Sequence, residues 1–374
     1  MDKTHNLRHI AEQFDLAGNF TNATPFGTGH INDTFLIQQK QKQEDDYLLQ
    51  RINHHVFKNV PQLMQNIERV TSHIRHKLKE NDRTDLKREV LTFRKTQDGL
   101  LYFRDDAGNY WRACLLIKDS RSYDIINNGK MAGQGGKAFG RFQNLLADLP
   151  VETLFDTIPN FHNVETRLHT FFEVIQKDPV KRVKDVLQQI NFVEKRSEEM
   201  MTILKLGQEG KISRRTTHND TKFNNVLFDN TGKALCVIDL DTVMPGYVHY
   251  DFGDAIRTGC NTGAEDDPNL ENVKLNIEFF EAYSAGFLQE TSTLLNTLEI
   301  KTLAFSARLL TFIMGLRFLT DYIDGDNYYK IHFENHNLRR ANAQFKLLKN
   351  MEERYNNMQE IVLSQAEKLK SSTA

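Results

Sequence analysis

The 374-residue sequence carries little net charge, few cysteines and no long apolar run. Its 48 Lys and Arg residues against 50 Asp and Glu give a formal charge of −2, so no overall basic field indicates a nucleic-acid partner. Three scattered cysteines without paired spacing argue against a disulfide scaffold or a cysteine-based zinc site, and they favour a reducing compartment. A local site for a small anionic ligand remains compatible with this composition.

Hydrophobic segments that would enter a membrane are also missing. The longest apolar stretch, Leu309 to Leu316, is bounded by Arg308 and Arg317 and is far shorter than the ~20 residues that span a bilayer. The N-terminus leads into polar helical sequence without the apolar core of a signal peptide. We therefore expect a cytoplasmic protein that has neither a membrane nor a nucleic acid as its partner.

The length predicts two lobes, because a typical domain has only ~100–150 residues. Strand-like runs occupy the first third, at Phe20–Phe26, Ile31–Gln39, Tyr47–Ile52, Glu89–Thr96 and Tyr110–Ile117, with a short hairpin arm at Leu100–Phe103. Helical periodicity dominates the rest, at Lys137–Ala147, Pro179–Leu206, Glu271–Gln289, Ile300–Ile323 and Asn337–Leu369. These patterns predict a division into residues 1–117 and residues 118–374.

One amphipathic helix interrupts the predicted strands. Apolar residues from Val60 to Leu78 recur at steps of three and four, which places one apolar stripe against a sheet. Asn59 is the expected N-cap, and Pro61 lies in the first turn, where its missing N–H costs little. In the second part, Gly133–Gly136 is predicted to open the helix that continues from Lys137.

A polar segment between Thr217 and Asp241 departs from the helical pattern. Two short apolar runs, Val226–Phe228 and Ala234–Ile238, flank the turn signal Asp229–Gly232. This arrangement predicts a hairpin inserted in a helical lobe, with polar residues presented at both of its ends.

Three polar side chains around this hairpin suit phosphoryl transfer. Asp220 precedes the hairpin, Asn225 lies at its entrance and Asp239 at its exit. A carboxylate such as Asp220 can take or orient the hydroxyl proton of an acceptor, and Lys222 can reach toward the moving phosphoryl group. Asn225 and Asp239 offer the oxygen ligands that Mg²⁺ prefers. Surface carboxylates on a plain strand–turn–strand are the alternative, but the preceding His218 favours the catalytic interpretation.

The string His218-x-Asp220-x-x-x-x-Asn225, followed after the hairpin by Ile238-Asp239, resembles the aminoglycoside phosphotransferase and choline kinase group, relatives of protein kinases. The resemblance implies an α+β protein-kinase-like fold with two lobes, a small antiparallel-sheet N-lobe that binds the nucleotide and a larger, mainly helical C-lobe. It implies ATP and Mg²⁺ as cofactors and an alcohol group as the phosphate acceptor. We expect a monomer or weak dimer.

The longer strings His218–Phe228, Ile238–Gly246 and His249–Arg257 are similar to the members of this group that phosphorylate N-acetylhexosamines. This similarity covers almost the whole chain. It implies transfer to the anomeric hydroxyl of N-acetylglucosamine or N-acetylgalactosamine, which gives the sugar 1-phosphate. It also implies that His218 and Asp251 brace the catalytic loop and do not react themselves.

The resemblance places the nucleotide against the first lobe. Gly27-Thr28-Gly29 lies between two predicted strands and is short of the full Gly-x-Gly-x-x-Gly pattern, so it is either a phosphate-covering loop or an ordinary hairpin turn. Arg51 stands where many kinases have Lys and would pair with the ATP phosphates. Glu68 either holds Arg51 or is a solvated helix residue. Leu116 and Ile117 would offer backbone hydrogen bonds to adenine.

The side chains expected around the sugar are, by the same resemblance, His30, Asn32, Asp220, Arg317 and Tyr328. Arg317 could equally form a surface salt bridge, and Tyr328 could be a half-buried packing residue beside its competitor Tyr329. Asp241 is either a second metal ligand or part of the substrate wall.

Other acceptors remain open at this point. Choline or an aminoglycoside would want an acidic or aromatic cage, and the acidic cluster Glu265–Asp267 lies in a predicted loop. Homoserine and methylthioribose are further small hydroxyl acceptors. A catalytically dead, kinase-like binding protein is disfavoured because Asp220, Asn225 and Asp239 are all present.

Overall fold

The computed structural model describes residues 5–18, 20–27, 31–39 and 45–373. Two residues with predicted roles, Gly29 and His30, lie outside the described residues. The strands are β1 (Phe20–Pro25), β2 (Asp33–Gln39), β3 (Tyr47–Ile52), β4 (Phe93–Arg94), β5 (Phe103–Arg104), β6 (Tyr110–Leu115), β7 (Ser120–Arg121), β8 (Arg215–Thr217), β9 (Val226–Asp229), β10 (Ala234–Val237) and β11 (Met244–Gly246).

The helices follow the same order along the chain. They are α1 (Leu7–Ala11), α2 (Val60–Glu80), α3 (Leu86–Glu89), α4 (Gly129–Leu145), α5 (Val164–Lys177), α6 (Leu187–Glu194), α7 (Ser197–Met200), α8 (Thr202–Gln208), α9 (Val248–Gly259), α10 (Ile277–Thr291), α11 (Thr297–Asp324), α12 (His336–Glu353) and α13 (Tyr355–Thr373). The predicted contrast between a strand-rich first third and a helical remainder is therefore confirmed.

The strand-rich part forms a six-stranded antiparallel sheet in the order β1-β2-β3-β6-β4, with β5 also paired to β6. One face of the sheet packs against α1 through residues such as Leu49 and Trp111. The opposite face contributes Ile52 to the core around α2. Gln50 and Arg112 are cross-strand partners, and strand alternation places them on the same face as Ile52. This second face looks toward the helical part of the molecule.

Helix α2 begins where the sequence predicts. The side chain of Asn59 accepts a hydrogen bond of 3.1 Å from the backbone N–H of Gln62, as expected of an N-cap. The apolar stripe, which includes Ile67 and Val70, is buried in a core that also contains Phe142 of α4. Because this core joins both parts of the chain, the division after residue 117 stays a prediction.

Several predicted elements have other bounds in the structure. The expected strand over residues 89–96 is reduced to the short β4 and is preceded by α3, because the carboxylate of Glu89 turns inward between Arg83 and Arg141, 2.8 Å from each. The expected helix over residues 179–206 is broken into α6, α7 and α8. The expected C-terminal helix breaks between α12 and α13 at Arg354, whose φ of −106° and ψ of 7° leave the helical region. Helix α5 was not predicted.

The glycine run at residues 133–136 lies inside α4 and does not open the helix. Helix α4 begins at Gly129, where the side chain of Asn128 caps the first turn. Gly133 and Gly136 face α10, and a Cβ at Gly136 would lie 2.1 Å from the carbonyl oxygen of Tyr283, whereas a Cβ at Gly135 would meet the ring of Phe223. Gly133 and Gly136 therefore let the two helix backbones approach closely.

This packing gives a stability prediction. Gly136→Ala is expected to lower the free energy of unfolding by about 3 kcal/mol, because the added methyl group meets backbone that cannot move aside cheaply. Gly129→Ala is the control in the same helix, since its Cβ would make an ordinary 3.7 Å contact with Ala282. Denaturant unfolding of both variants measures the difference. Equal unfolding midpoints would contradict the close helix contact.

Helix α11 forms the centre of the helical part. Its length and composition would allow it to cross a membrane, but 94% of its apolar window is buried inside the protein. Apolar residues along the helix, from Ile300 to Ile323, contribute to two adjoining cores. A helix buried to this extent belongs to the core of the protein. All three cysteines are free and buried.

Candidate active site

The catalytic segment is held between two paired strands. Strand β8 leads into the segment and pairs with β11, which leads out of it, while β9 and β10 form the predicted hairpin between them. The backbone N–H of Ile238 donates a hydrogen bond of 2.9 Å to the carbonyl oxygen of Asn225, so the entrance and the exit of the hairpin lie together. This confirms the hairpin and brings the segments of Asp220, Asn225 and Asp239 to one place.

Helix α9 braces the loop that precedes the hairpin. The Asp251 carboxylate accepts hydrogen bonds from the backbone N–H groups of His218 and Asn219, at 2.8 and 2.7 Å. The Asp254 carboxylate accepts a third from the backbone N–H of Thr221 at 3.0 Å. Asn219 has a φ of 63°, in the left-handed region that Asn tolerates. These contacts agree with a bracing role for Asp251. The Asp220 side chain accepts none of these backbone hydrogen bonds.

Asp220 is ionised beside a lysine. Its Oδ1 lies 3.1 Å from Nζ of Lys222, and its Oδ2 lies 3.4 Å from the side-chain amide of Asn225. Burial raises the pKa of Asp220, but Lys222, His218 and Arg257 together outweigh burial and hold the pKa below its ordinary value. Asp220 in turn raises the pKa of Lys222. In this structure Lys222 therefore contacts the carboxylate, and its predicted contact with the phosphoryl group stays a prediction.

The oxygen atoms predicted to hold the metal are available for it. The Asn225 amide nitrogen donates to the backbone carbonyl of Asp220 at 2.8 Å, which leaves its Oδ1 without a donor among the described residues. The Asp239 carboxylate accepts no hydrogen bond from the described residues, and the residue is exposed. Desolvation, followed by Asp241 and Asp220, raises the pKa of Asp239 to about 6. Such an uncompensated carboxylate fits a divalent cation.

The metal site predicted at Asn225 and Asp239 is not enclosed by acidic or histidine side chains of the described residues. The described residues contain no cluster of three or more His, Cys, Asp or Glu side chains arranged for a metal ion. Asn225 and Asp239 therefore offer a hard cation two oxygen ligands, and phosphate or water oxygens would complete its shell. A shared site of this kind suits a cation that arrives with a nucleotide.

Asp241 has protein partners for both of its carboxylate oxygens. Its Oδ1 is paired with Arg112, and its Oδ2 accepts a hydrogen bond of 2.7 Å from the Asn32 amide. The Asn32 side-chain oxygen accepts a second bond of 2.9 Å, from the backbone N–H of Asn53. The metal role of Asp241 and the sugar-binding role of Asn32 stay predictions. The sequence analysis missed Arg112, for which the available signal is a charged residue inside the apolar strand β6.

The structure corrects the predicted role of Arg51. Strand alternation puts Arg51 on the same sheet face as Leu49, opposite the face that looks toward the catalytic loop. Its guanidinium Nε donates to the Asp33 carboxylate at 2.7 Å, at the partly exposed edge of that face. Glu68 pairs with Lys95 at 3.2 Å and does not hold Arg51. Arg51 and Glu68 are therefore not placed to grip the nucleotide phosphates.

Gly27, Leu116 and Ile117 are the other described residues that were predicted to contact the nucleotide. Gly27 has a φ of 75°, which favours glycine, and open space surrounds the position of its missing Cβ. The backbone N–H of Leu116 donates to the carbonyl of Asp46 at 2.9 Å, so it is not free for adenine. The Ile117 carbonyl accepts a hydrogen bond of 2.7 Å from the Ser120 hydroxyl. Their hinge role stays a prediction.

Arg317 lies among aromatic rings and forms no salt bridge with the part of the chain that the structure describes. Its guanidinium carbon lies 5.1 Å from the ring centre of Phe161, 5.8 Å from that of Tyr328 and 5.5 Å from that of Tyr329. Only 9% of Arg317 is exposed, whereas 65% of Tyr328 is exposed, so neither residue has the alternative environment considered from the sequence. Tyr328 and Tyr329 are both held by the Asp321 carboxylate, which accepts their backbone N–H groups at 2.8 and 2.9 Å.

A second arginine, Arg167, lies beside Arg317 and was not predicted. Burial, followed by Arg317, lowers the pKa of Arg167 to about 10. Neither arginine forms an ion pair with the described residues. His162 connects this region to the catalytic loop, because its Nε2 donates to the carbonyl of Asn219 at 2.9 Å. Arg317 and Arg167 both act on the pKa of His162, so the two arginines lie close to a residue that supports the catalytic loop.

An antiparallel sheet packed on a helical part, with an Asp–Asn–Asp set around a hairpin, defines a kinase-like phosphotransferase fold. Residues 22–289 match the model of the phosphotransferase enzyme family known as APH, and the chain belongs to this family.

Solved structures share the fold over nearly the whole chain. An aminoglycoside phosphotransferase from Alicyclobacillus acidocaldarius is 10% identical, with 97% of this chain and 96% of that chain covered and a TM-score of 0.56. An amicoumacin kinase in complex with AMP-PNP and Ca²⁺ is 14% identical, with 95% and 94% covered and a TM-score of 0.60. A microcompartment-associated aminopropanol kinase is 13% identical, with 94% and 97% covered and a TM-score of 0.57. The predicted protein-kinase-like fold is confirmed.

Proposed function

We propose that this protein is a cytoplasmic ATP- and Mg²⁺-dependent kinase that phosphorylates the anomeric hydroxyl of N-acetylhexosamines and releases the sugar 1-phosphate. Family membership supports the phosphoryl transfer, and the similarity of the catalytic strings supports the sugar. The observation that carries the choice of acceptor class is the pair Arg167 and Arg317, which lie near the catalytic-loop contact of His162, have no carboxylate partner among the described residues, and would form one wall of the acceptor site beside Asp220.

The carboxylates of this wall are already compensated by the protein. Asp220 pairs with Lys222, while Asp254 and Glu265 both pair with Arg257, at 2.8 and 3.2 Å. No carboxylate in this group is left to receive a cationic acceptor. These residues therefore do not provide the acidic cage that choline or an aminoglycoside would need.

The unpaired charge of the wall is positive. Arg167 and Arg317 would repel the ammonium groups of choline or an aminoglycoside at short range. A neutral sugar instead offers hydroxyl and acetamido oxygens that accept hydrogen bonds from guanidinium N–H groups, and a flat sugar face can lie on the exposed ring of Tyr328. An uncharged, oxygen-rich acceptor therefore fits this wall best.

The catalytic residues divide the work of the transfer. Asp220 orients the acceptor hydroxyl and takes its proton, and its lowered pKa keeps it ionised for that purpose. Asn225 and Asp239 would hold Mg²⁺, which would supply positive charge to offset the charge of the phosphate groups. Lys222 balances the Asp220 carboxylate before the acceptor arrives. The presence of all these groups argues against a dead, kinase-like binding protein.

An ADP-release assay with Mg²⁺ and ATP tests the proposal. The acceptor panel is N-acetylglucosamine, N-acetylgalactosamine, glucose, galactose, choline and kanamycin, and phosphorus NMR identifies the product. Turnover confined to the N-acetylhexosamines, with an anomeric phosphate signal, is the expected result. Turnover on choline or kanamycin alone would keep the phosphotransferase and overturn the acceptor.

Arg317→Ala is expected to raise the KM for the sugar by about tenfold or more, because a charge-assisted hydrogen bond to the acceptor is lost. The KM for ATP is expected to stay within about twofold, since the proposal assigns Arg317 to the acceptor and not to the nucleotide. Arg354→Ala, an exposed arginine between α12 and α13, is the control. Steady-state kinetics with each substrate varied separately gives both constants. A change confined to the KM for ATP would move Arg317 to the nucleotide side.

A further inference from the structure

The buried carboxylate of Asp241 joins the sheet of the first part to the segment that follows the hairpin. The side chains of Arg112 and Asp241 are only 3% and 4% exposed, and they form an ion pair. Asn32, which follows the predicted glycine turn, contacts the other carboxylate oxygen at 2.7 Å. We call Arg112, Asp241 and Asn32 the cross-lobe clamp.

The sheet holds Arg112 in one orientation. Its Nε donates to the Gln50 side-chain oxygen at 3.0 Å, and the Gln50 amide donates to the Thr34 hydroxyl at 3.0 Å. Thr34, Gln50 and Arg112 are cross-strand neighbours on β2, β3 and β6. Three strands therefore direct the planar guanidinium at Asp241.

The Asn32 amide also has a fixed orientation. Its side-chain oxygen accepts the backbone N–H of Asn53 at 2.9 Å, so its NH₂ group must point at Asp241. The donor and acceptor ends of the contact are thus defined. This polarity allows the contact to be reversed by mutation.

The far side of the same segment is tied to the catalytic loop. The Thr242 hydroxyl donates to the carbonyl of His218 at 2.7 Å, and the Asn219 amide donates to the carbonyl of Thr242 at 3.0 Å. Asp239 precedes this doubly held turn and has a left-handed φ of 61°. The position of Asp239 thus depends on contacts from both parts of the chain.

These contacts leave little room for Asp241 to bind a metal ion. Both of its oxygens already accept protein hydrogen bonds, and a cation that replaced Asn32 or Arg112 would meet the guanidinium charge at close range. The Asp239 carboxylate accepts no hydrogen bond from the described residues and remains the better ligand. The two carboxylates have different surroundings and therefore different tasks.

We propose that Asp241 is an anchor and not a metal ligand, and that the cross-lobe clamp sets the position of Asp239 relative to the sheet that covers the nucleotide. Arg112 and Asn32 are positioning residues that act through Asp241. The inference rests on the nucleotide-dependent phosphoryl transfer proposed above, but not on the identity of the acceptor.

A polarity swap tests the clamp. Asp241→Asn alone places an NH₂ group against the NH₂ group of Asn32, or breaks the pair with Arg112. Asn32→Asp combined with Asp241→Asn reverses the hydrogen bond, keeps an acceptor for the Asn53 N–H and preserves the number of charges. The affinity for AMP-PNP with Mg²⁺ is measured by titration calorimetry, together with the thermal midpoint of each variant.

The expected result is that Asp241→Asn weakens the binding of Mg²⁺ with AMP-PNP by about tenfold or more, and that the swap restores it to within about threefold of the wild type. Arg196→Lys, which alters the distant ion pair with Glu352, controls for a general effect of ion-pair changes and is expected to bind normally. A swap that binds as weakly as Asp241→Asn, at a wild-type thermal midpoint, would overturn the proposal and restore Asp241 as a metal ligand. Normal binding by Asp241→Asn would overturn it as well. No acceptor is present in this measurement, so a wrong acceptor would appear only in the turnover panel.

Discussion

Replacing Asp220 by Asn is expected to lower kcat by about 10²–10⁴-fold and to leave the protein folded. The amide has the same shape but cannot take the proton of the acceptor hydroxyl. The fold should survive because Asp251 and Asp254, and not the Asp220 side chain, hold the backbone of the catalytic loop. Steady-state kinetics and a thermal unfolding curve measure the two effects separately.

Asp98→Asn is the matched control for this variant. Asp98 is an exposed carboxylate in a turn of the first part, so the same chemical change there is expected to leave kcat unaltered. A folded Asp220→Asn protein with near-normal kcat would remove the general-base role from Asp220. The proton would then have to leave the hydroxyl by another route.

Asp239→Asn is expected to reduce kcat/KM for ATP by about 10²-fold or more and to require a higher Mg²⁺ concentration for the remaining activity. The carboxylate has no protein donor among the described residues, and its pKa is raised to about 6 by desolvation, Asp241 and Asp220. Removing its charge therefore removes an attraction for the cation and little that the protein itself uses. Asn also tolerates the left-handed backbone at this position, so the variant should fold.

Asp82→Asn is the control for Asp239→Asn, because it makes the same substitution at another residue with a left-handed backbone conformation. Asp82 is exposed and also has a left-handed φ, of 53°, but it follows the end of α2 and lines a pocket with Asp229 and Lys233 at the turn of the hairpin, whereas Asp239 lies at the hairpin's exit. Its variant should keep the wild-type dependence on Mg²⁺. If folded Asp239→Asn also kept that dependence, the cation would be held elsewhere.

Local features of the chain were predictable because their causes are local. Strand β3 has the predicted bounds, and α2 begins at the predicted cap, since alternation, helical periodicity and an Asn N-cap depend on neighbouring residues. The hairpin between Asn225 and Asp239 follows from two apolar runs and a turn signal. The chemistry of this segment could also be predicted from the sequence, because a phosphoryl-transfer site needs a few polar groups at short spacing.

Contacts between distant residues needed the tertiary structure. The glycines of α4 were predicted to start a helix, but Gly136 is explained by its close contact with Tyr283 of α10. Arg51 was chosen as the phosphate clamp by its place in β3, yet the face that it occupies is known only once Leu49 is seen to pack against α1. Side-chain alternation is a local rule, whereas the choice of which face meets the second part of the molecule is not.

The sequence by itself therefore determined the family resemblance, the strand-rich and helical parts, and the Asp220, Asn225 and Asp239 set. Only the tertiary structure decided that Arg112 meets Asp241 across 129 residues of chain. The physical reason is that the backbone restricts the relative positions of residues that are only a few positions apart in the chain. A buried ion pair between distant segments exists only after both of its partners have been carried to the same place by packing.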